Sequence, residues 1–222
     1  VNGDRNLFQG LKITSRGSQP YGYGSLVLFW GGGKRDFSIS KKSTLKAEGV
    51  DNVYVDCEIY TRTIGHAVFF NRNNSNTFID CHVEADKRST DDILKETSGP
   101  LYENDFITHT KYGPSWREGK LEPGHTVSLS EDAFRAYGGY NSRKGKEAGE
   151  FKALGCTVKN TRGAFILRYP DYSPVFFSHC KTLGINWQGT YWIGGSEDMR
   201  IVNCQVDLRY GDFLRIFKGE GY

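Results

Sequence analysis

Val53-Tyr54-Val55-Asp56-Cys57-Glu58-Ile59 and Thr77-Phe78-Ile79-Asp80-Cys81-His82-Val83 lie 24 residues apart and share one pattern around an Asp-Cys step. A period of two predicts a β-strand, with the cysteine and its i±2 neighbours on one face. The pattern returns as Leu154-Gly155-Cys156-Thr157-Val158 and as Val202-Asn203-Cys204-Gln205-Val206. It is looser around Cys180, where Ser178 and Thr182 take the flanking places. Cys57, Cys81, Cys156, Cys180 and Cys204 are thus separated by 24, 75, 24 and 24 residues. A fixed period in this range marks a solenoid, and the long interval is close to three periods.

A second apolar strand follows each cysteine by about ten residues, the spacing a solenoid coil needs between one strand and the next. It reads Gly65-His66-Ala67-Val68-Phe69-Phe70, then Gly163-Ala164-Phe165-Ile166-Leu167-Arg168, then Gly211-Asp212-Phe213-Leu214-Arg215-Ile216. The leading glycines suit sharp corners. Strand, corner, strand and turn make one coil. The fold class expected is all-β, a right-handed parallel β-helix of about 24 residues per coil. Helical periodicity is nearly absent, and residues 90–96 are the one short helix expected. The whole chain, 1–222, reads as a single domain with loop insertions around 85–145. Leu26 to Trp30 reads as a buried strand of the first coils, and the 75-residue gap leaves room for two more coils within 99–149. Stacked at one position of each coil, the cysteines would form a ladder of reduced thiols, which behave as small buried hydrophobes. A disulfide between adjacent coils is the alternative.

Composition excludes several classes. No stretch approaches about 20 consecutive apolar residues, so no membrane span is expected. A net charge of +3, from 29 basic and 26 acidic residues, does not call for a nucleic-acid partner. Mild charge reads first as a mixed, solvated surface, and is compatible with an anionic ligand if the basic residues cluster. No zinc spacing, phosphate loop or nucleophile elbow occurs. No cofactor is required; calcium is the one metal that a pair such as Glu131-Asp132 suggests, and no EF-hand loop supports it. The opening Val1-Asn2-Gly3-Asp4 carries no basic-then-apolar leader and fits a segment left after leader removal.

One resemblance adds to this. Gly65-His66-Ala67-Val68-Phe69, Arg88-Ser89-Thr90-Asp91-Asp92-Ile93-Leu94, Gly99 to Phe106, Gly124-His125-Thr126 and Glu131-Asp132-Ala133-Phe134-Arg135-Ala136-Tyr137 look like segments of bacterial right-handed β-helix proteins that break down polysaccharides. The short solenoid also resembles the alginate lyases of polysaccharide lyase family 31. That resemblance implies β-elimination on an acidic polysaccharide, with alginate as the leading substrate and a Tyr and a Lys as the acid/base pair. It also implies a monomer, secreted or periplasmic.

A uronate lyase needs three things. A cation must neutralise the C6 carboxylate, so that the C5 proton becomes acidic. A base must take that proton, and an acid must protonate the leaving oxygen. The residues offered for proton transfer are Tyr137, His66, Lys111 and Tyr112. Those offered for binding are Arg88, Arg135, Arg162, Lys87, Lys159 and His125. His66 and His125 read equally as hydrogen-bonded structural histidines, and the arginines as partners of nearby Asp86, Asp91 or Glu96. Lys87, Lys111, Arg135 and Lys159 recur every 24 residues, and would form a basic ladder if the coil register held throughout. Asp91-Asp92 opens a hydrolase alternative, since glycosidases work with paired carboxylates. A noncatalytic carbohydrate-binding solenoid, with Trp116, Trp187 and Trp192 as contacts, is a third reading.

Overall fold

The computed structural model describes residues 5–14, 27–29, 51–61, 66–71, 75–89, 91, 116–117, 120–121, 124–128, 130, 132–137, 150–167, 174–185, 189–194, 196, 198–208 and 212–216. Strands β1 (Leu7–Gln9), β2 (Lys12–Thr14) and β3 (Val27–Phe29) form the first pass of the chain. The second pass is β4 (Asn52–Val55), β5 (Glu58–Thr61) and β6 (His66–Asn71). The third opens with β7 (Asn76–Ile79) and β8 (His82–Ala85). Four short strands then intervene: β9 (Lys87–Ser89), β10 (Trp116–Arg117), β11 (Lys120–Leu121) and β12 (Thr126–Ser128). The third pass closes with β13 (Asp132–Tyr137). The fourth is β14 (Phe151–Leu154), β15 (Thr157–Lys159) and β16 (Gly163–Leu167); the fifth is β17 (Val175–Ser178), β18 (Lys181–Ile185) and β19 (Gly189–Ile193). The sixth is β20 (Met199–Val202), β21 (Gln205–Leu208) and β22 (Asp212–Ile216).

Each pass gives one strand to each of three six-stranded sheets. The first is β1-β4-β7-β14-β17-β20, the second β2-β5-β8-β15-β18-β21 and the third β3-β6-β13-β16-β19-β22. Every neighbour pair in them is parallel. This architecture is consistent with a parallel β-helix. No helix among the described residues is long and apolar enough to cross a membrane. Of the helix expected over 90–96, only Asp91 is among the described residues.

Three expectations are corrected. The cysteine-centred stretch is not one strand. Asp56, Asp80, Gly155, His179 and Asn203 adopt φ between 51° and 65°, and each ends a first-sheet strand one residue before its cysteine. A left-handed residue turns the chain, so the alternation restarts. Cys57 and Ile59 therefore point inward, while Val55 is only half-buried. Each pass consequently carries three strands rather than two. Lastly, the 75-residue interval does not hold two further coils. Asn76 pairs directly with Phe151, and His82 with Thr157. In sequence, the extra length falls between Ala85 and Asp132 and between Tyr137 and Phe151. Register spacing also differs between sheets. Asn52 faces Asn76 and Val175 faces Met199, each 24 positions on. In the third sheet Gly163 faces Gly189, 26 positions on, and Gly189 faces Asp212, 23 positions on.

The core lies between the sheets as ladders of like residues. Tyr54 stacks on Phe8 and Phe78 at 5.1 and 4.6 Å, and Phe165 stacks on Phe134 and Tyr191 at 5.1 and 5.6 Å. Such offset pairs add stability beyond the area they bury. All five cysteines are free thiols; Cys57, Cys81, Cys156 and Cys180 are buried and Cys204 is half-buried. Each buried thiol donates to a carbonyl of the preceding pass, as Cys81 to Tyr54 at 3.4 Å and Cys180 to Ala153 at 3.2 Å.

Candidate functional site

Pairing gathers segments that are far apart in sequence. In the third sheet β13 lies beside β6, with Asp132 opposite His66, Arg135 opposite Phe69 and Tyr137 opposite Asn71. On its other side Asp132 faces Gly163 and Arg135 faces Ile166. Outside the sheets β12 pairs antiparallel with β9, setting Val127 opposite Arg88 and Ser128 opposite Lys87. The Asp91 carboxylate accepts the Gly124 N–H at 3.0 Å and ties the two ends of this insertion together. The inserted segment rejoins the third sheet at β13, beside β6, while β9 and β12 form a two-stranded pair of their own within it.

That junction buries polar groups. Thr61, Ser128, Ser130, Asp132, Arg135, Thr161 and Arg162 make up most of the buried polar residues among those described. Arg135 Nη1 donates to Asp132 Oδ2 at 3.2 Å. Arg162 donates twice to the Ser130 carbonyl, from its backbone N–H at 3.1 Å and from Nε at 3.3 Å. The Ser130 N–H donates to Ser128 Oγ at 3.1 Å, and Ser130 Oγ donates to Thr61 Oγ1 at 3.3 Å. A charge removed from water must be paired and hydrogen-bonded, or it costs several kcal/mol. The sequence meets that need locally: Asp132 and Arg135 sit three apart in one strand, and a Ser-x-Ser turn precedes them. Beneath, Phe134 packs on Phe165 and Phe78, so the polar layer rests on an aromatic floor.

A guanidinium carries five N–H donors in a planar fork and keeps its charge at every accessible pH. Arg135, whose side chain is 10% exposed, joins Asp132 at this junction. Such a group can hold a protein carboxylate and a ligand carboxylate together. Inward tyrosines are unsuited to proton transfer, because burial pushes the phenols of Tyr54 and Tyr191 well above their usual value.

The residues expected from sequence divide into three groups. At the junction Arg135 bonds Asp132 and Arg162 bonds the Ser130 carbonyl, and the backbones of His66 and Tyr137 belong to β6 and β13. Arg88, on β9, and His125, just before β12, belong to the insertion beside it. Lys111 and Tyr112 lie outside the described residues, as do Asp92, Glu131 and Trp187. The basic ladder does not form. Lys159 is in the second sheet, Arg135 in the third and Lys87 in the β9–β12 pair. The insertion breaks the register that the interval of 24 assumed. Asp91 bonds the Gly124 backbone, the behaviour of a loop-tying carboxylate. The guanidinium of Arg215 lies over the Trp192 ring at 4.7 Å, so one face of that indole is covered. Among the described residues no three His, Cys, Asp or Glu side chains group to hold a metal ion, and Asp132 serves Arg135.

Ser128, Ser130, Thr61 and Thr161 were not singled out from sequence. Short hydroxyl residues carry no chemical signature, and only pairing shows that they line one junction. No family model matches the chain, and no curated protein matches it in sequence.

Proposed function

We propose that the protein is a lyase that cleaves an acidic polysaccharide by β-elimination, alginate being the first substrate to test. The reading includes a right-handed solenoid of about 24 residues per coil, acting as a monomer in a secreted or periplasmic setting. One observation carries it: the β6–β13 pairing sets the His66 segment beside the Asp132 to Tyr137 segment, which holds the buried Asp132–Arg135 pair, and both segments resemble polysaccharide-degrading β-helices. Arg135 neutralises the uronate C6 carboxylate, which stabilises the charge that develops when C5 loses its proton. Asp132 holds the guanidinium in place. The C5–H bond breaks, the C4=C5 double bond forms and the C4–O bond breaks as the leaving oxygen gains a proton. His66 and Tyr137 are the residues to test for the two proton transfers. The hydrolase reading is weaker, because Asp91 is engaged with the Gly124 backbone.

The test is incubation with alginate, pectate, hyaluronan and a neutral glucan, with and without calcium. Unsaturated ends are followed by ultraviolet absorbance alongside total reducing ends. Rising absorbance on a uronate polymer supports the lyase. Reducing ends without absorbance overturn it in favour of hydrolysis, and neither signal on any polymer leaves a noncatalytic module.

A further inference from the structure

The second sheet presents two outward rows that the junction does not use. Lys12, Glu58, His82, Thr157 and Lys181 stand in register in one row. Thr14, Tyr60, Glu84, Lys159 and Leu183 form the other. Hydrophobic alternation alone would leave this a solvated face. Three features set its middle apart. Glu84 is held by three donors: His82 Nε2 at 3.1 Å, Lys159 Nζ at 3.2 Å and Asn160 Nδ2 at 3.4 Å. Its side chain is 27% exposed, so this geometry exists before any ligand arrives. The ring of Tyr60 lies 5.6 Å from that of His82 and forms an aromatic step beside the carboxylate. Lastly, the β18–β21 register shifts between Thr182 and Ile185, where Gly184 has φ of 65° and neighbouring Asn160 φ of 62°. A Cβ at Gly184 would come 2.9 Å from Asn160 Oδ1, so the missing side chain leaves room for that amide. Bulges and left-handed residues of this kind gather beside functional sites.

We propose that this face, where Tyr60, His82, Glu84, Lys159 and Asn160 come together, is a second carbohydrate-binding site on the second sheet, distinct from the Asp132–Arg135 pair of the third. Its ligand is a stretch of acidic glycan lying across successive strands. Parallel strands repeat about every 4.8 Å, close to the advance of one pyranose along a polymer. Ammonium, carboxylate, imidazole and hydroxyl groups are mixed along the rows, which suits hydroxyls with an occasional carboxylate better than a uniform polyanion. Tyr60 and His82, tilted 49° to one another with Lys12 Nζ 5.1 Å from the Tyr60 ring centroid, offer a stepped aromatic edge against which a sugar ring packs. Donors already fixed by one another lose little freedom on binding.

The inference rests on the polysaccharide reading only for its choice of probe. The experiment is native gel electrophoresis of the full chain in gels containing alginate, pectate, hyaluronan or a neutral glucan. Wild type, Tyr60→Ala and Lys159→Gln are compared, with thermal midpoints confirming that each variant is folded. Lys159 is 44% exposed, so its variant tests the site without disturbing the core. The expected result is retardation of wild type by at least one acidic polymer. Each variant should weaken apparent affinity about fivefold or more, roughly 1 kcal/mol. Retardation equal in all three proteins overturns the inference and leaves the lyase reading standing. So does product formation by a wild type that no gel retards. Retardation that depends on Tyr60 and Lys159, without product from any polymer, upholds the site while the lyase reading fails. Neither retardation nor product overturns both.

Discussion

The fourth and fifth passes and the third pass do the same architectural work with different means. In β14 to β19, positions one pass apart repeat their role: Phe151 and Val175 face inward, Cys156 and Cys180 stack, and Phe165 lies on Tyr191. The third pass keeps all three sheet registers, yet places β9 to β12 between its second and third strands. The regular passes bury mainly apolar rings and thiols; Thr161 and Arg162 of the fourth pass, where Arg162 bonds the junction's Ser130 carbonyl, are exceptions. The interrupted pass buries Asp132 and Arg135 where the insertion rejoins. A solenoid tolerates a long insertion because its strands are held by neighbours above and below, and loop closure costs grow slowly with length. The buried ion pair therefore lies in the interrupted pass, and the uninterrupted repeat of rings and thiols in the regular ones.

Substitutions can break or sharpen this contrast. The largest effect is expected in the regular core. Phe165→Ala should cost about 3–5 kcal/mol, read from the urea unfolding midpoint; a loss below about 1 kcal/mol would mean that the aromatic ladder is not what holds the passes together. Asp132→Ala leaves the Arg135 guanidinium buried without this partner, and should cost about 3 kcal/mol. Replacing both, as Asp132→Leu with Arg135→Met, should recover much of that loss; equal loss in the double variant would argue against a paired role. Gly155→Ala puts a Cβ at φ of 65°, 2.0 Å from Asp80 Oδ1. It should cost about 1–2 kcal/mol, whereas His179→Gly at the next corner of that row should cost little or stabilise. Repeating Gly155→Ala with Asp80→Ala separates the backbone strain from the clash.

The smallest effect belongs to the second-sheet face. Glu84→Gln should change stability by less than about 1 kcal/mol, since the pair is partly solvated. Burial pushes the Glu84 carboxyl up, but hydrogen bonds and charge from His82 and Lys159 outweigh it, so the group sits below its usual 4.5. A depressed carboxyl stabilises the fold above that value and loses the contribution as pH falls through its lowered one. Wild type should therefore lose more stability than Glu84→Gln between pH 5 and pH 3, on the order of a few tenths of a kcal/mol; parallel curves would contradict the pairing.

Much of the architecture was legible from the cysteine period, because a repeat writes the same residue type at the same place in each pass. The corners were less so. Asp56, Asp80, Gly155 and Asn203 are residue types that accept left-handed backbone, and each precedes a cysteine. Read as turn residues, they would have split the stretch into two strands. His179 at the same place hides the signal. The true span of the 75-residue interval was not legible, since an insertion and extra coils have similar composition, and only β7–β14 pairing separates them. At the junction, Arg135 and Arg162 were visible as charged residues in apolar strands. Their gathering with Ser130 and Thr61 was not, because it depends on contacts between residues up to 69 positions apart. The basic ladder failed for the same reason: equal spacing in sequence is equal height in the solenoid only where nothing is inserted.

Under the lyase proposal, the most direct test of the junction's role is the initial rate at which Arg135→Lys, beside wild type, forms unsaturated ends on alginate. Lysine keeps the charge and loses the fork. A rate about 100-fold below wild type, with a thermal midpoint within a few degrees of it, is the predicted result. A folded variant that turns over at the wild-type rate would contradict the account and place the chemistry elsewhere on the solenoid.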